Sequence, residues 1–246
     1  NLDIKKSILQ SNSRIYVEKF LEHEKHIPSD LIEIHNRPNY VKFLSQNTNS
    51  KIILYFHNDP LTMNGSKSLT ERRDLLKKTH KLIFNSKWSH GRFMQNFNKF
   101  EIPKDKLNVV YQSSKKVKIN FNNKKKIISF VGKLNSAKGY DLFGSAIVKI
   151  LDKYKDWKGI VIGDEPREKY NFKHKNFIIH PWLPHKKILK LYNDSSISIV
   201  PSRWEEPFGR TSMESAAYGC ATITSNKGGL LETFDNDLYL NKLNSS

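Results

Sequence analysis

Two carboxylates, Glu206 and Glu214, stand with seven residues between them in the stretch PSRWEEPFGRTSMESAAYGCATITSNKGGLLE, residues 201–232. Between them lies a Pro207-Phe208-Gly209 turn that opens a helix-like run. The amides of Phe208, Gly209 and Arg210 lack intrahelical partners there and can point at an anion or a sugar oxygen. Glu214 lies more than one turn further in, on the face shared with Arg210 and Thr211. Carboxylates that accept hydroxyl protons, set beside exposed amides, suit a polyhydroxylated, negatively charged ligand. A nucleotide sugar fits. Upstream, Lys133 and Lys138 flank a loop that begins at Gly132, and the following helix is expected to start near Lys138. A cationic pair beside a helix start suits a diphosphate, which gains negative charge as its glycosidic bond breaks. His57 and His35 each close an apolar run in the first half of the chain. Each of these residues also has a plainer reading: a loop lysine as a solvated charge, a glutamate at a helix start as surface charge, a strand-ending histidine as a structural hydrogen bonder.

The elements that must hold these residues alternate between strand-like and helix-like runs, the pattern of parallel βαβ units. Strands are expected at 31–35, 51–57, 80–85, 107–111, 127–132, 158–163, 176–180, 196–200 and 221–224. Helices are expected near 15–24, 37–46, 68–77, 87–98, 139–154, 185–193, 209–218 and 229–233. Ser86 is placed to cap the helix after it. The run Ile197-Ser198-Ile199-Val200 should deliver the Pro-Phe-Gly turn to the carboxyl end of a parallel sheet, where α/β proteins bind ligands. Residues 112–126 are polar and lysine-rich and mark a linker, so the expected domains are 1–120 and 121–246.

The chain has 246 residues, 37% of them hydrophobic and 11% aromatic, which supports two packed domains rather than disorder. No apolar run approaches the roughly 20 residues of a membrane span, and no secretory leader pattern opens the chain. The single cysteine, Cys220, excludes an intramolecular disulfide and reads as a packing residue in a reducing compartment. A cytoplasmic protein is expected. The net charge of +18 rests on lysine far more than on the eight scattered arginines, which argues against a nucleic-acid reader. Lysines of the first half and the linker, Lys115, Lys116, Lys118, Lys124, Lys125 and Lys126 among them, offer two readings. One is solubility and codon bias; the other is attraction to an anionic membrane face.

The 201–232 stretch resembles the E-P-F-G-x-x-x-x-E signature of the retaining nucleotide-sugar glycosyltransferases of family four, the group 1 glycosyl transferases. Phe130 to Gly139 resembles that family's phosphate loop, Val161-Ile162-Gly163-Asp164 a strand end, and Gly228-Gly229-Leu230-Leu231-Glu232 a glycine-pair element. The resemblance covers nearly all of 127–233, and four motifs in order are specific. It departs at Lys133, where arginine is commoner, at Cys220, and at both ends. There the opening glycine-rich strand and the closing helices are missing, so an incomplete N-terminal domain and weak activity of the chain alone are expected.

The resemblance implies an α/β fold of GT-B type, with two Rossmann-like domains and a cleft between them. It implies Lys133 and Lys138 on the donor phosphates, Glu214 on the ribose diol, and Glu206 on the transferred sugar. His57 is implied to face that sugar, and Gly132, Gly163, Phe208, Gly209, Arg210 and Thr211 to be donor contacts. Loop residues around Gly163-Asp164 and Pro181-Trp182-Leu183 would meet base and sugar. Trp204 reads as packing and Glu205 as solvated. No cofactor is expected, and no metal, because neither a metal-ligand histidine spacing nor an acidic pair after a strand is present. The implied partners are a nucleotide sugar and a glycan or glycolipid acceptor, such as a bacterial lipopolysaccharide or another cell-envelope glycan, on the inner membrane face. Two rival readings stay open: another GT-B enzyme such as a nucleotide-sugar epimerase, and a non-catalytic basic module that binds anionic glycan or nucleic acid.

Overall fold

The computed structural model of the chain describes residues 12–98, 103, 105–115, 117–233 and 239–240. The linker residue Lys116 lies outside them. The chain forms two compact units, one up to Tyr111 and the other from Gln112. Each is a parallel α/β unit, as the alternating pattern predicts.

The first unit runs α1 (Asn12–His26), β1 (Leu31–His35), α2 (Pro38–Asn47), β2 (Lys51–Phe56), α3 (Leu69–Lys78), β3 (Lys81–Phe84), α4 (Lys87–Met94) and β4 (Leu107–Val109). Its strands lie in the order β1-β2-β3-β4, all parallel. Alternate residues, Ile32 and Ile34 of β1, Leu54 and Phe56 of β2, and Leu82 and Phe84 of β3, are buried with Val41 and Leu44 of α2 and Phe93 of α4. The other face carries Leu31, Glu33 and His35, all exposed. The starts of α2, α3 and α4 are each built from a local signal. Pro38 occupies the first turn of α2, Ser68 and Glu71 close a capping box on α3, and Ser86 Oγ accepts from the amide of Ser89 on α4.

Helix α4 stops at Met94, short of the expected 98. The buried guanidinium of Arg72 takes the carbonyls of Phe93 and Gln95 and lies 5.4 Å from the Phe97 ring centre. Asn96 then turns left-handed at φ 68°. A cation that collects carbonyls at a helix end satisfies groups that another turn would have used.

The second unit runs β5 (Lys125–Val131), α5 (Tyr140–Lys153), β6 (Lys158–Ile162), β7 (Phe177–His180), α6 (His185–Asp194), β8 (Ser195–Val200), α7 (Arg210–Ala217), β9 (Ala221–Ser225) and β10 (Tyr239–Leu240). The last strand has no counterpart in the sequence reading. The helix expected at 229–233 is a 3₁₀ turn over Gly228–Glu232. The strand order is β10-β9-β8-β5-β6-β7, again parallel throughout. Four consecutive residues of β5, Ile127 to Phe130, are buried. Phe130 and Ile128 face α5 through Phe143 and Ile147, while Ile162, Tyr192 and Cys220 form a second cluster. A continuous apolar run is what a strand covered on both faces requires.

Lys124 departs from its reading as linker charge. Its ammonium donates to the carbonyls of Tyr192 (2.8 Å) and Tyr218 (2.6 Å), and burial lowers its pKa. It ties the ends of α6 and α7 to the start of β5. Cys220 packs as expected: it is buried, donates to the Tyr192 carbonyl at 3.2 Å, and burial pushes its thiol up to about 11.

Candidate functional site

In the second unit the chain leaves β5 toward β6 and β7 on one side, then returns to β8 on the other. The connections after β5 and β8 therefore diverge at their carboxyl ends, the crevice where open parallel sheets bind ligands. Into it come the two loops singled out in the sequence, residues 132–139 and 201–209.

Close backbone approach fixes the first loop. A Cβ on Gly163 would sit 1.8 Å from the Gly132 carbonyl oxygen, so the ends of β5 and β6 touch only because residue 163 is glycine. Asn135 Oδ1 accepts from the Lys138 amide at 3.0 Å and caps a 3₁₀ turn over Ser136–Lys138. The helix proper, α5, begins at Tyr140, a residue or two later than expected, because Gly139 bends left-handed at φ 71°. Glu168 takes the Ser136 amide at 2.8 Å, so that donor is engaged within the protein. Lys133 is exposed.

The second loop is stitched to the first. Ala137 accepts from the amides of Arg203 (2.9 Å) and Trp204 (3.0 Å). Arg203 also grips Asp141 in a bidentate pair at 2.7 and 2.8 Å, which holds that carboxyl below its usual range. Nothing in the spacing of Arg203 and Asp141 marked this pair in the sequence. The result is that Lys138 Nζ meets Glu206 Oε1 in an ion pair, and Ser202 Oγ donates to the same oxygen at 2.9 Å. Lys138, Glu206, Ser202, Thr211 and Gly132 line a small cavity of about 50 Å³. From behind, the Gly229 amide donates to the Glu206 carbonyl at 2.6 Å, and a Cβ on Gly228 would fall 2.2 Å from that oxygen. The glycine pair is there to let a third loop seat Glu206.

Helix α7 starts at Arg210 behind Gly209 (φ 112°), and no side chain caps its first amides. Phe208 is buried and anchors the turn. Glu214 is buried at 8% exposure, not partly exposed as its place near a helix start suggests. Arg210 Nη2 reaches its Oε1 at 2.9 Å and His185 Nε2 its Oε2 at 3.1 Å. Two cationic or donor groups make burial of the carboxylate tolerable. His185, the first residue of α6, is the partner the sequence did not disclose. Trp204, read as packing, is 51% exposed, while Glu205 is exposed with Lys227 at 3.5 Å.

A hydrogen-bonded pair on the next loop supports the same region. Glu165 is buried and bound by Arg167 at 2.7 and 2.8 Å, which lowers its pKa to about 2. It also accepts from Asn135 Nδ2 at 3.2 Å.

In the first unit His57 follows β2 and lies against His35, the last residue of β1. His35 Nδ1 and His57 Nε2 are 2.7 Å apart, with the rings 5.0 Å centre to centre and 10° from parallel. Tyr55 stacks on His57 at 4.4 Å. Burial first, then His35, lowers the His57 pKa, while Glu33 opposes the shift.

Residues 112–242 match the family model described as "Glycosyl transferases group 1". The chain belongs to the group 1 glycosyl transferases. YtcC of Bacillus subtilis, named as a glycosyltransferase, is 25% identical over 248 residues, covering 87% of this chain and 60% of that protein. Spore coat protein SA of the same organism is 31% identical over 126 residues, 45% of this chain and 33% of its own length. The chain spans 60% or less of the length of these relatives. Among solved structures, HepE of Anabaena in complex with UDP-glucose superposes with a TM-score of 0.69 at 16% identity, over 94% of this chain and 70% of that one. A glycosyltransferase of Rickettsia africae gives a TM-score of 0.72 at 21% identity, over 98% and 71%. These likenesses establish the fold: α/β, two Rossmann-like units of GT-B type.

The described residues hold no group of three or more His, Cys, Asp or Glu side chains arranged for a metal ion. No described helix is long and apolar enough to cross a membrane.

Proposed function

We propose that this group 1 glycosyl transferase moves a sugar from a nucleotide diphosphate to an acceptor hydroxyl with retention of configuration, as a family four member. The observation that carries the reading is the contact of Lys138 with Glu206 at the diverging ends of β5 and β8, with Glu214 buried one turn into α7. Lys138 and Lys133 are assigned to the diphosphate, whose charge grows as it leaves. Glu206 is assigned to hydroxyls of the transferred sugar. Glu214, oriented by Arg210 and His185, accepts the ribose diol, and the uncapped amides of α7 face phosphate or sugar oxygen. Gly132 and Gly163 let the nucleotide approach the backbone, and His57 serves the transferred sugar.

Such a site works by positioning and electrostatics, without a covalent intermediate and without a metal. The departing diphosphate takes the acceptor proton on the face it leaves. Solved neighbours that carry UDP-glucose, or UDP with GlcNAc, make uridine donors the first to try. A cell-envelope glycan or glycolipid, reached at the inner membrane face, is the proposed acceptor; the galactosyltransferase WaaB, described as acting on the lipopolysaccharide outer core, is among the similar folds, with a TM-score of 0.57.

Calorimetry with UDP, GDP and ADP and their sugars tests the donor, and NMR of the product anomer tests retention. Binding of no nucleotide, or an inverted product, refutes the proposal. Release of an epimerised sugar without acceptor would favour an epimerase.

A further inference from the structure

Ser202 is fully buried two residues past the end of β8, where the two loops of the second unit meet. Val200 is level with Thr224 across the ladder to β9, so the residues that follow stay side by side. Ser225, the last residue of β9, donates from Oγ to the Ser202 carbonyl at 2.6 Å. The next two amides, of Arg203 and Trp204, go to the Ala137 carbonyl of the first loop. The backbone at Ser202 is therefore held from two sides, by β9 and by the 3₁₀ turn over Ser136–Lys138.

The hydroxyl on this backbone has one proton to give. Three acceptors lie within its reach: Glu206 Oε1 at 2.9 Å, the Ala137 carbonyl at 3.2 Å and the Trp204 carbonyl at 3.3 Å. The carboxylate is nearest and bears the charge, so it takes the proton. Lys138 approaches the same oxygen. The two donors differ in what they can hold. The ammonium of Lys138 ends a flexible four-carbon stem, and its side chain is 32% exposed. Ser202 has a single side-chain torsion on an anchored, buried backbone. Lys138 is also the residue assigned to the diphosphate, whose charge draws an ammonium toward itself. Ser202 is the donor that stays in place on Glu206 when it does.

We propose that Ser202 is a positioning residue for Glu206: its hydroxyl fixes the carboxylate at the end of β8 whether or not Lys138 is engaged elsewhere. The use of this bond in transfer rests on the assignment of Glu206 to the transferred sugar; the bond itself does not. A carboxylate held in one orientation presents its oxygens to sugar hydroxyls without first being ordered by the ligand, which removes a cost from binding. The effect should fall on the sugar half of the donor. The residue that Ser202 orients is assigned to that half, whereas the ribose is assigned to Glu214.

Two measurements on the whole chain test the bond and its use separately. Ser202→Ala keeps every backbone bond at this junction and removes only the hydroxyl. The NMR signal of the Glu206 carboxyl carbon, assigned by its loss in Glu206→Ala, should shift in Ser202→Ala. An unmoved signal overturns the proposal. Calorimetry with UDP-glucose and with UDP then reads the use. Ser202→Ala should weaken UDP-glucose by about 2- to 10-fold, the net worth of one hydrogen bond, and leave UDP nearly unchanged. Equal weakening of both would mean a general structural role and also overturns the proposal. In a Glu206→Ala background, Ser202→Ala should change the ratio of the two affinities no further, because the group it orients is gone. A further loss there would show that Ser202 acts through another residue, against the proposal. If Glu206→Ala binds UDP-glucose as the native chain does, the sugar assignment of Glu206 is refuted; a shifted carbon signal would then still support Ser202 as the donor that fixes the carboxylate.

Discussion

The two units present strand ends to solvent in opposite ways. In the first, β1 alternates exposed and buried residues, and its open face bears a stack of Tyr55, His57 and His35. In the second, four consecutive residues of β5 are buried, and the loops beyond the sheet are closed by ion pairs and by glycines in near contact with carbonyls. The first site is held by ring stacking and side-chain hydrogen bonds, with the Glu33 carboxylate beside His35. The second is held by charge over a sheet covered on both faces. Charge placed at the crevice of a well-packed sheet is preorganised, so it should dominate turnover.

The largest expected effect is on that charge. Lys138→Ala should reduce turnover by about 100- to 1,000-fold, as removal of a group aimed at developing charge does. Lys125→Ala alters net charge equally on an exposed pair with Asp194 and should change turnover little. Steady-state assays of the two decide whether a phosphate site or bulk charge is at work; equal small losses would erase the contrast.

Next comes Glu214→Ala, which removes a buried acceptor and leaves Arg210 and His185 without it. Nucleotide affinity should fall by about 10- to 100-fold, in line with the roughly 1.5–3 kcal/mol of a charged hydrogen bond. Calorimetry on the folded variant checks this, and unchanged affinity would remove Glu214 from the site.

Stability effects should follow the same division. Gly228→Ala places a Cβ against the Glu206 carbonyl in a left-handed backbone and should cost about 1–3 kcal/mol. Lys124→Ala should cost a similar amount, about 1–3 kcal/mol, by stripping two carbonyls of their donor. Denaturant melts would show both. A neutral Lys124→Ala would return that lysine to the solvated surface.

Acid gives the smallest effect. The Glu165 carboxyl is held at about 2 in the folded state against 4.5 for the free group, first by its bonds from Arg167. Its folded pKa is depressed, so its contribution is complete above pH 4.5 and is lost as pH falls toward 2. Asp141 shifts in the same direction through Arg203. Hydrogen exchange between pH 5 and 2.5 should therefore loosen residues 133–141 and 163–168 before β1 and β2; the reverse order would contradict the assignment of ionic closure to the second unit.

Much of this was legible in the sequence. Runs such as Lys51–Phe56 and Ser195–Val200 lie within a residue of their expected bounds, because β-branched stretches bounded by turn residues have few other homes in a parallel sheet. The glycines at 163, 228 and 229 stood out only as motif residues, and the structure supplies the backbone carbonyls they meet.

What the sequence alone determined is most of the elements up to β9, the resemblance to the family, and the loops that end at the crevice, all of which depend on neighbours within a few residues. Tertiary structure alone decided the partners: Lys138 with Glu206, His185 with Glu214, Arg203 with Asp141, His35 with His57, and Lys124 with two helix-end carbonyls. These contacts join residues 22 to 94 apart in the chain. No local pattern encodes them, because they arise only when the sheet order brings non-neighbouring strand ends and helix starts side by side.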